Sequence, residues 1–106
     1  MVRRVFQVRL AGALLLALPL LAIAETVMVK YAGPVDLDPF VCEWTPRSSF
    51  ITRVCHDARR SYAVVGLGGT YYHYCGMPTH VVRAWLAAAS MGRFYNATIR
   101  GRFACS

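Results

Sequence analysis

Residues 68–100 read GGTYYHYCGMPTHVVRAWLAAASMGRFYNATIR. Gly68-Gly69 is a turn signal, because glycine tolerates the positive φ that tight hairpins need. The aromatic and β-branched run Thr70–Cys75 reads as a strand, with Tyr72 and Tyr74 on one face. Pro78 suits a first helical turn, where its missing N–H costs nothing. Val81, Val82, Trp85, Leu86 and Ala89 then fall at helical spacing and form an apolar stripe. Gly92 is expected to end that helix. A further turn is expected through Phe94, Tyr95, Thr98 and Ile99, with Ser90 as its cap.

Upstream of the Gly-Gly turn, residues 61–67 and 50–55 read as two more strands joined by a turn at 57–60. Short connections make the three strands an antiparallel meander. The expected fold class is α+β: a small three-stranded antiparallel meander, then a packed helix and a short helical tail, in the order β-β-β-α. A two-residue turn at Gly68-Gly69 pairs Leu67 with Thr70 and Tyr62 with Cys75. A four-residue turn at 57–60 pairs Cys55 with Tyr62. One face then carries Phe50, Thr52, Val54, Ala63, Val65, Leu67, Tyr72 and Tyr74 and is expected to receive the helix. The other carries Ile51, Arg53, Cys55, Tyr62, Val64, Tyr71, His73 and Cys75 and is too aromatic to lie fully bare.

The chain resembles the KTSC domain family across residues 48–103. The matching residues are Ser48-Ser49, Ile51, Gly69, Tyr72, Tyr74 and Pro78, then the run ASMGRFYN at 89–96 with Ile99-Arg100 after it. That tail run, at this distance from the paired tyrosines, carries most of the likeness. The resemblance implies a fold more than an activity, since the family has none established. RNA binding has been suggested for it.

Residues 1–24 have the order of a secretory leader: Arg3, Arg4 and Arg9, an uncharged apolar stretch at 10–21, and Ala22-Ile23-Ala24 as a small-x-small cleavage site. Cleavage is expected after Ala24, leaving no membrane anchor. The apolar run is short for a span of about 20 residues and Pro19 interrupts it. Its strong hydrophobicity favours ordinary export over the twin-arginine route that Arg3-Arg4 faintly suggests. After cleavage 82 residues remain, with nine basic residues against five acids, so the charge falls from +7 to +4. Residues 25–46 form an extension that decorates or covers the sheet, and 47–106 the KTSC-like domain. No internal repeat or low-complexity run follows the leader.

A domain this small buries little surface. Four cysteines in a small exported chain therefore argue for two disulfides. Their spacings of 13, 20 and 30 residues contain no C-x₂-C pair, which speaks against zinc. In the expected register Cys55 and Cys75 flank Tyr62, with Cα atoms about 9–10 Å apart, too far to bridge. Residues 41–44, running antiparallel beside 50–55, would join Cys42 to Cys55 and leave Cys75 for Cys105. The crossed pairing, Cys42 to Cys75 and Cys55 to Cys105, stays open, because nothing fixes how the tail returns.

His56, His73 and His80 lie in no catalytic motif, and the acids are few and scattered, so neither an enzyme nor a cofactor is expected. Asn96-Ala97-Thr98 is a short glycosylation triplet that also fits a structural asparagine. Arg93, Arg100 and Arg102 sit among Phe94, Tyr95 and Phe103, with Arg47 and Arg53 candidates to join them in space. Guanidinium groups bind phosphate or carboxylate through forked hydrogen bonds. Tyr72 and Tyr74 read as core residues with hydroxyls at the rim, and Tyr71 as the more exposed stacking surface. Candidate ligand contacts are Arg93, Arg100, Arg102, Tyr71 and Tyr95. The expected function is an exported, non-enzymatic binding module with a basic-aromatic C-terminal surface. Its partner would be an anionic envelope ligand or, as the family resemblance suggests, nucleic acid.

Overall fold

The computed structural model describes residues 24–106. The expected leader, 1–24, therefore lies outside the described residues apart from Ala24. The strands are β1 (Thr26–Val29), β2 (Gly33–Asp36), β3 (Val41–Trp44), β4 (Ile51–Asp57), β5 (Tyr62–Leu67) and β6 (Thr70–Cys75). Two short helices follow, α1 (Thr79–Ala87) and α2 (Met91–Phe94), and α2 runs into a π-helical turn, Tyr95–Ile99.

All six strands join one sheet in the order β2-β1-β6-β5-β4-β3. This corrects the expected fold class. The meander β4-β5-β6 is present, but it is the centre of a six-stranded mixed sheet rather than the whole of a three-stranded one. Left alone, the meander would expose the outer edges of β4 and β6. Unpaired strand edges are templates for aggregation, and pairing removes them. Here β3 pairs antiparallel with β4, and β1 pairs parallel with β6.

The N-terminal strands also cover the far face. Asp36 ends β2 at one sheet edge, and Val41 starts β3 at the other. Five residue steps reach at most about 17 Å. Six flat strands at normal spacing would be about 24 Å wide. The sheet must therefore curl until its edges approach. Inside the curl, Val29, Leu37, Phe40, Cys55 and Val64 form a second buried cluster. The helix-side cluster is larger and centres on Ile51, Val54, Val65, Met77, Trp85 and Ile99.

The β5-β6 register is the expected one, with Leu67 opposite Thr70 and Tyr62 opposite Cys75. The β4-β5 register is shifted by two, with Asp57 rather than His56 at the turn, and Cys55 faces Val64. Ser61 takes a left-handed φ of 50°, which moves the turn to residues 58–61. A shift of two keeps every side chain on its face. A bulge between Ile51 and Arg53 does not, and it swings Ile51 onto the helix side, where it is fully buried. Thr52 then lies against Gly66: a Cβ built there would come within 2.5 Å of the Thr52 Oγ1. Phe50 and Thr52, expected in the helix-facing core, are exposed.

Pro78 is the N-cap of α1 rather than its first residue, and its carbonyl accepts from Val81 and Val82. Helix α1 stops at Ala87, because Ala88 turns extended, so Ala89 and Gly92 are not part of it. Ser90 caps α2 by accepting from the Arg93 N–H at 3.2 Å. Trp85 is the buried anchor: it stacks on Tyr95 and its Nε1–H donates to the Met91 carbonyl at 3.0 Å. The disulfides are Cys42–Cys55, between directly opposed residues of β3 and β4, and Cys75–Cys105, which ties the C-terminal tail to β6. Of the two pairings left open above, this is the uncrossed one. Among the described residues no helix is long and apolar enough to cross a membrane.

Candidate functional site

The residues expected to carry binding separate in space. Arg100 follows the π-helical turn, with its N–H donating to the Tyr95 carbonyl at 2.8 Å. This closure brings residues 95 and 100 to one surface. There Arg100, Tyr95 and Asn96 line a shallow depression of about 380 Å³ with Phe50, Leu67 and Tyr72. Phe50 meets Tyr95 edge-on at 6.2 Å. The Tyr95 hydroxyl shares a 2.9 Å hydrogen bond with that of Tyr74, which fixes the ring from below. Burial raises the Tyr74 pKa, and the bond to Tyr95 adds to the shift. Tyr74 therefore stays a neutral phenol well above physiological pH.

The other candidates lie elsewhere. Arg93 is exposed in the last turn of α2, and Arg102 is exposed in the tail, its N–H donating to the Ile99 carbonyl. Tyr71 is half-buried on the opposite face of the sheet, and its hydroxyl accepts from Arg53 at 3.3 Å. Arg53 does not join the tail arginines. It is buried, stacked 4.3 Å from the Trp44 ring centroid, and forked onto the Glu25 carboxylate at 2.7 and 2.9 Å. The hydrogen bonds from Arg53 hold the Glu25 carboxyl below its usual range. Arg47 is used locally, donating to the Leu86 carbonyl at 2.7 Å near the C-terminus of α1.

Two histidines serve the scaffold. The buried His56 ring donates through Nε2–H to the Met77 carbonyl at 2.8 Å, and His73 Nδ1 bonds the Tyr62 hydroxyl at 2.8 Å. His80 is exposed. Asp57 accepts from Arg60 at 2.6 Å and from the Arg59 N–H, and the Arg60 bond holds its carboxyl below the usual range. Among the described residues no three His, Cys, Asp or Glu side chains are grouped to hold a metal ion.

Arg100 and Tyr95 are candidates in the sequence, whereas Phe50 and Tyr72 beside them are not. Phe50 is out of reach because the bulge that turns it outward has no local signal. Tyr72, expected in the core with only its hydroxyl at the rim, is half-buried and lines the depression.

The geometry defines a disulfide-bonded α+β domain whose paired tyrosines and helical tail meet at a basic-aromatic surface. Its kinship is more specific. The KTSC domain family model matches residues 47–103, more than half of the chain, and the chain belongs to that family. A crystal structure of a KTSC domain protein from Yersinia pestis is similar, with 25% identity and a TM-score of 0.58 over 63% of this chain and 94% of that one. No curated protein matches the chain. The function of the family is unknown.

Proposed function

We propose that this protein is an exported, non-enzymatic binding module that holds an anionic ligand on the surface formed by Arg100, Tyr95, Tyr72 and Phe50. One observation carries the reading: an exposed guanidinium shares a depression with three aromatic rings, brought from the loop ahead of β4, from β6 and from the π-helical turn. Such a group offers forked hydrogen bonds to a carboxylate or phosphate while the rings cover the less polar part of the ligand. Export is supported by the leader-like order of residues 1–24, and two disulfides with no free cysteine are compatible with an oxidising compartment.

A titration with two probes tests the proposal. Hexagalacturonate represents an acidic glycan, and a single-stranded RNA decamer represents nucleic acid. Arg100→Gln is expected to weaken binding of the preferred probe by about tenfold or more, the worth of one charge-assisted hydrogen bond. Arg93→Gln should leave it nearly unchanged. Steep salt dependence with preference for the RNA would favour the nucleic-acid reading. Equal losses from Arg93→Gln and Arg100→Gln would reduce the surface to diffuse positive charge.

A further inference from the structure

We infer a second site, at the outer edge of β6, that takes the C-terminal end of an extended peptide. In a strand, the N–H and C=O groups of residues two apart point to the same edge. The Tyr71 carbonyl accepts from the Lys30 N–H at 2.8 Å, on the side away from β5. The Cys75 N–H donates to the Phe103 carbonyl at 2.8 Å, on that same side. His73 lies between them, so its N–H and C=O also face outward. Among the described residues neither β1 nor the tail pairs with them. The parallel ladder ends at Val29–Tyr71, where Tyr31 turns left-handed with φ 71° and carries the chain away.

The result is a gap in an otherwise paired edge. A depression of about 320 Å³ occupies it, between the Lys30–Tyr31 corner, the Tyr72 ring, and Gly101, Ala104 and Cys105 of the tail. The His73 peptide group supplies one donor and one acceptor at strand spacing, which is what one residue of an added β-strand requires. The two bonded neighbours on β6, Tyr71 and Cys75, are only about 13 Å apart. A strand cannot run through along β6, because the β1 corner blocks one end and the disulfide-pinned tail the other, so one residue pairs with His73 and the rest of its chain leaves away from the sheet. A chain end fits.

Charge selects which end. The Lys30 ammonium lies 5.4 Å from the Tyr31 ring centroid and 5.8 Å from that of Tyr72, and no carboxylate pairs with it among the described residues. It is placed to receive a terminal carboxylate, while the rings flank the last side chain. Nothing in this site depends on Arg100. Lys30 and Tyr31 precede the segment matched by the family model, so the site belongs to this chain's extension as much as to its domain.

The test is amide NMR on the disulfide-bonded chain, with N-acetyl-trialanine, its C-terminal amide and inorganic phosphate as probes. In the free protein the His73 amide should exchange fast while those of Tyr72 and Tyr74, which point toward β5, are protected. N-acetyl-trialanine should shift the His73 resonance saturably and slow its exchange. The C-terminal amide and phosphate should each bind about tenfold more weakly. Lys30→Gln, an exposed change, should remove the preference for the free carboxylate, and Arg100→Gln should not. A His73 amide already as protected as its neighbours would overturn the inference. So would equal binding of the peptide amide, equal binding of phosphate, or an unchanged preference in Lys30→Gln.

Discussion

Asp57 and Glu25 show how single side chains hold the curled sheet. Asp57 sits at the β4-β5 turn, buried, and accepts from Arg60 and from the Arg59 backbone. Glu25 reaches from ahead of β1 to the buried Arg53 of β4 and fastens the extension across the sheet. Both carboxyls are held below their ordinary range, first by the hydrogen bonds from Arg60 and Arg53 respectively. The sign follows: the ionised form is favoured in the folded chain, so these contributions are complete above the ordinary carboxylate range. They are lost as pH falls through the depressed values. Asp57→Asn and Glu25→Gln should each flatten the acid side of a stability-against-pH curve measured by urea melts. The double variant should flatten it most.

At the scale of elements, the β5-β6 hairpin was legible because Gly68-Gly69 admits one tight turn and so one register. The β4-β5 turn was less legible. Residues 57–60 and 58–61 are equally polar, and only the left-handed Ser61 chooses between them. The bulge at residues 51–53 was not legible, because its cause is long-range: Gly66 across the strand gives Thr52 room. Strand β2 opens with Gly33-Pro34, which reads as a turn, and only an edge position tolerates that proline. The same division holds for the site. Tyr95 and Arg100 are one turn apart and could be read together, whereas Tyr72 and Phe50 are joined to that surface only by the folded sheet. Helix α1 gives a graded prediction. Trp85→Ala should cost about 3–5 kcal/mol in chemical denaturation, since the indole is fully buried against Tyr95 and Met91. Leu86 is only half-buried beside Trp44 and Arg47, so Leu86→Ala should fall below the usual range of about 2–5 kcal/mol for a core leucine. A larger loss at Leu86 than at Trp85 would misplace the helix stripe.

For the molecule as a whole, residues 25–46 are structural rather than decorative. They add β1, β2 and β3, supply Val29, Leu37 and Phe40 to the second core, and provide Cys42 for the bond to Cys55. Without them Val64 and Cys55, both fully buried, would face water. The loop closed by Cys42–Cys55 is short, and a bond of that span is worth about 3 kcal/mol. A chain of this size has a total stability of the order of 5–15 kcal/mol, so losing that bond and one of two cores removes a large part of it. The most direct measurement compares urea unfolding of residues 25–106 with that of residues 47–106 carrying Cys55→Ala, which leaves no stray thiol. A structural role for residues 25–46 predicts one cooperative transition for the longer chain, and a transition lost or moved far toward zero urea for the shorter one. Equal midpoints and equal slopes would contradict it, because they would mean that the extension covers nothing the fold depends on.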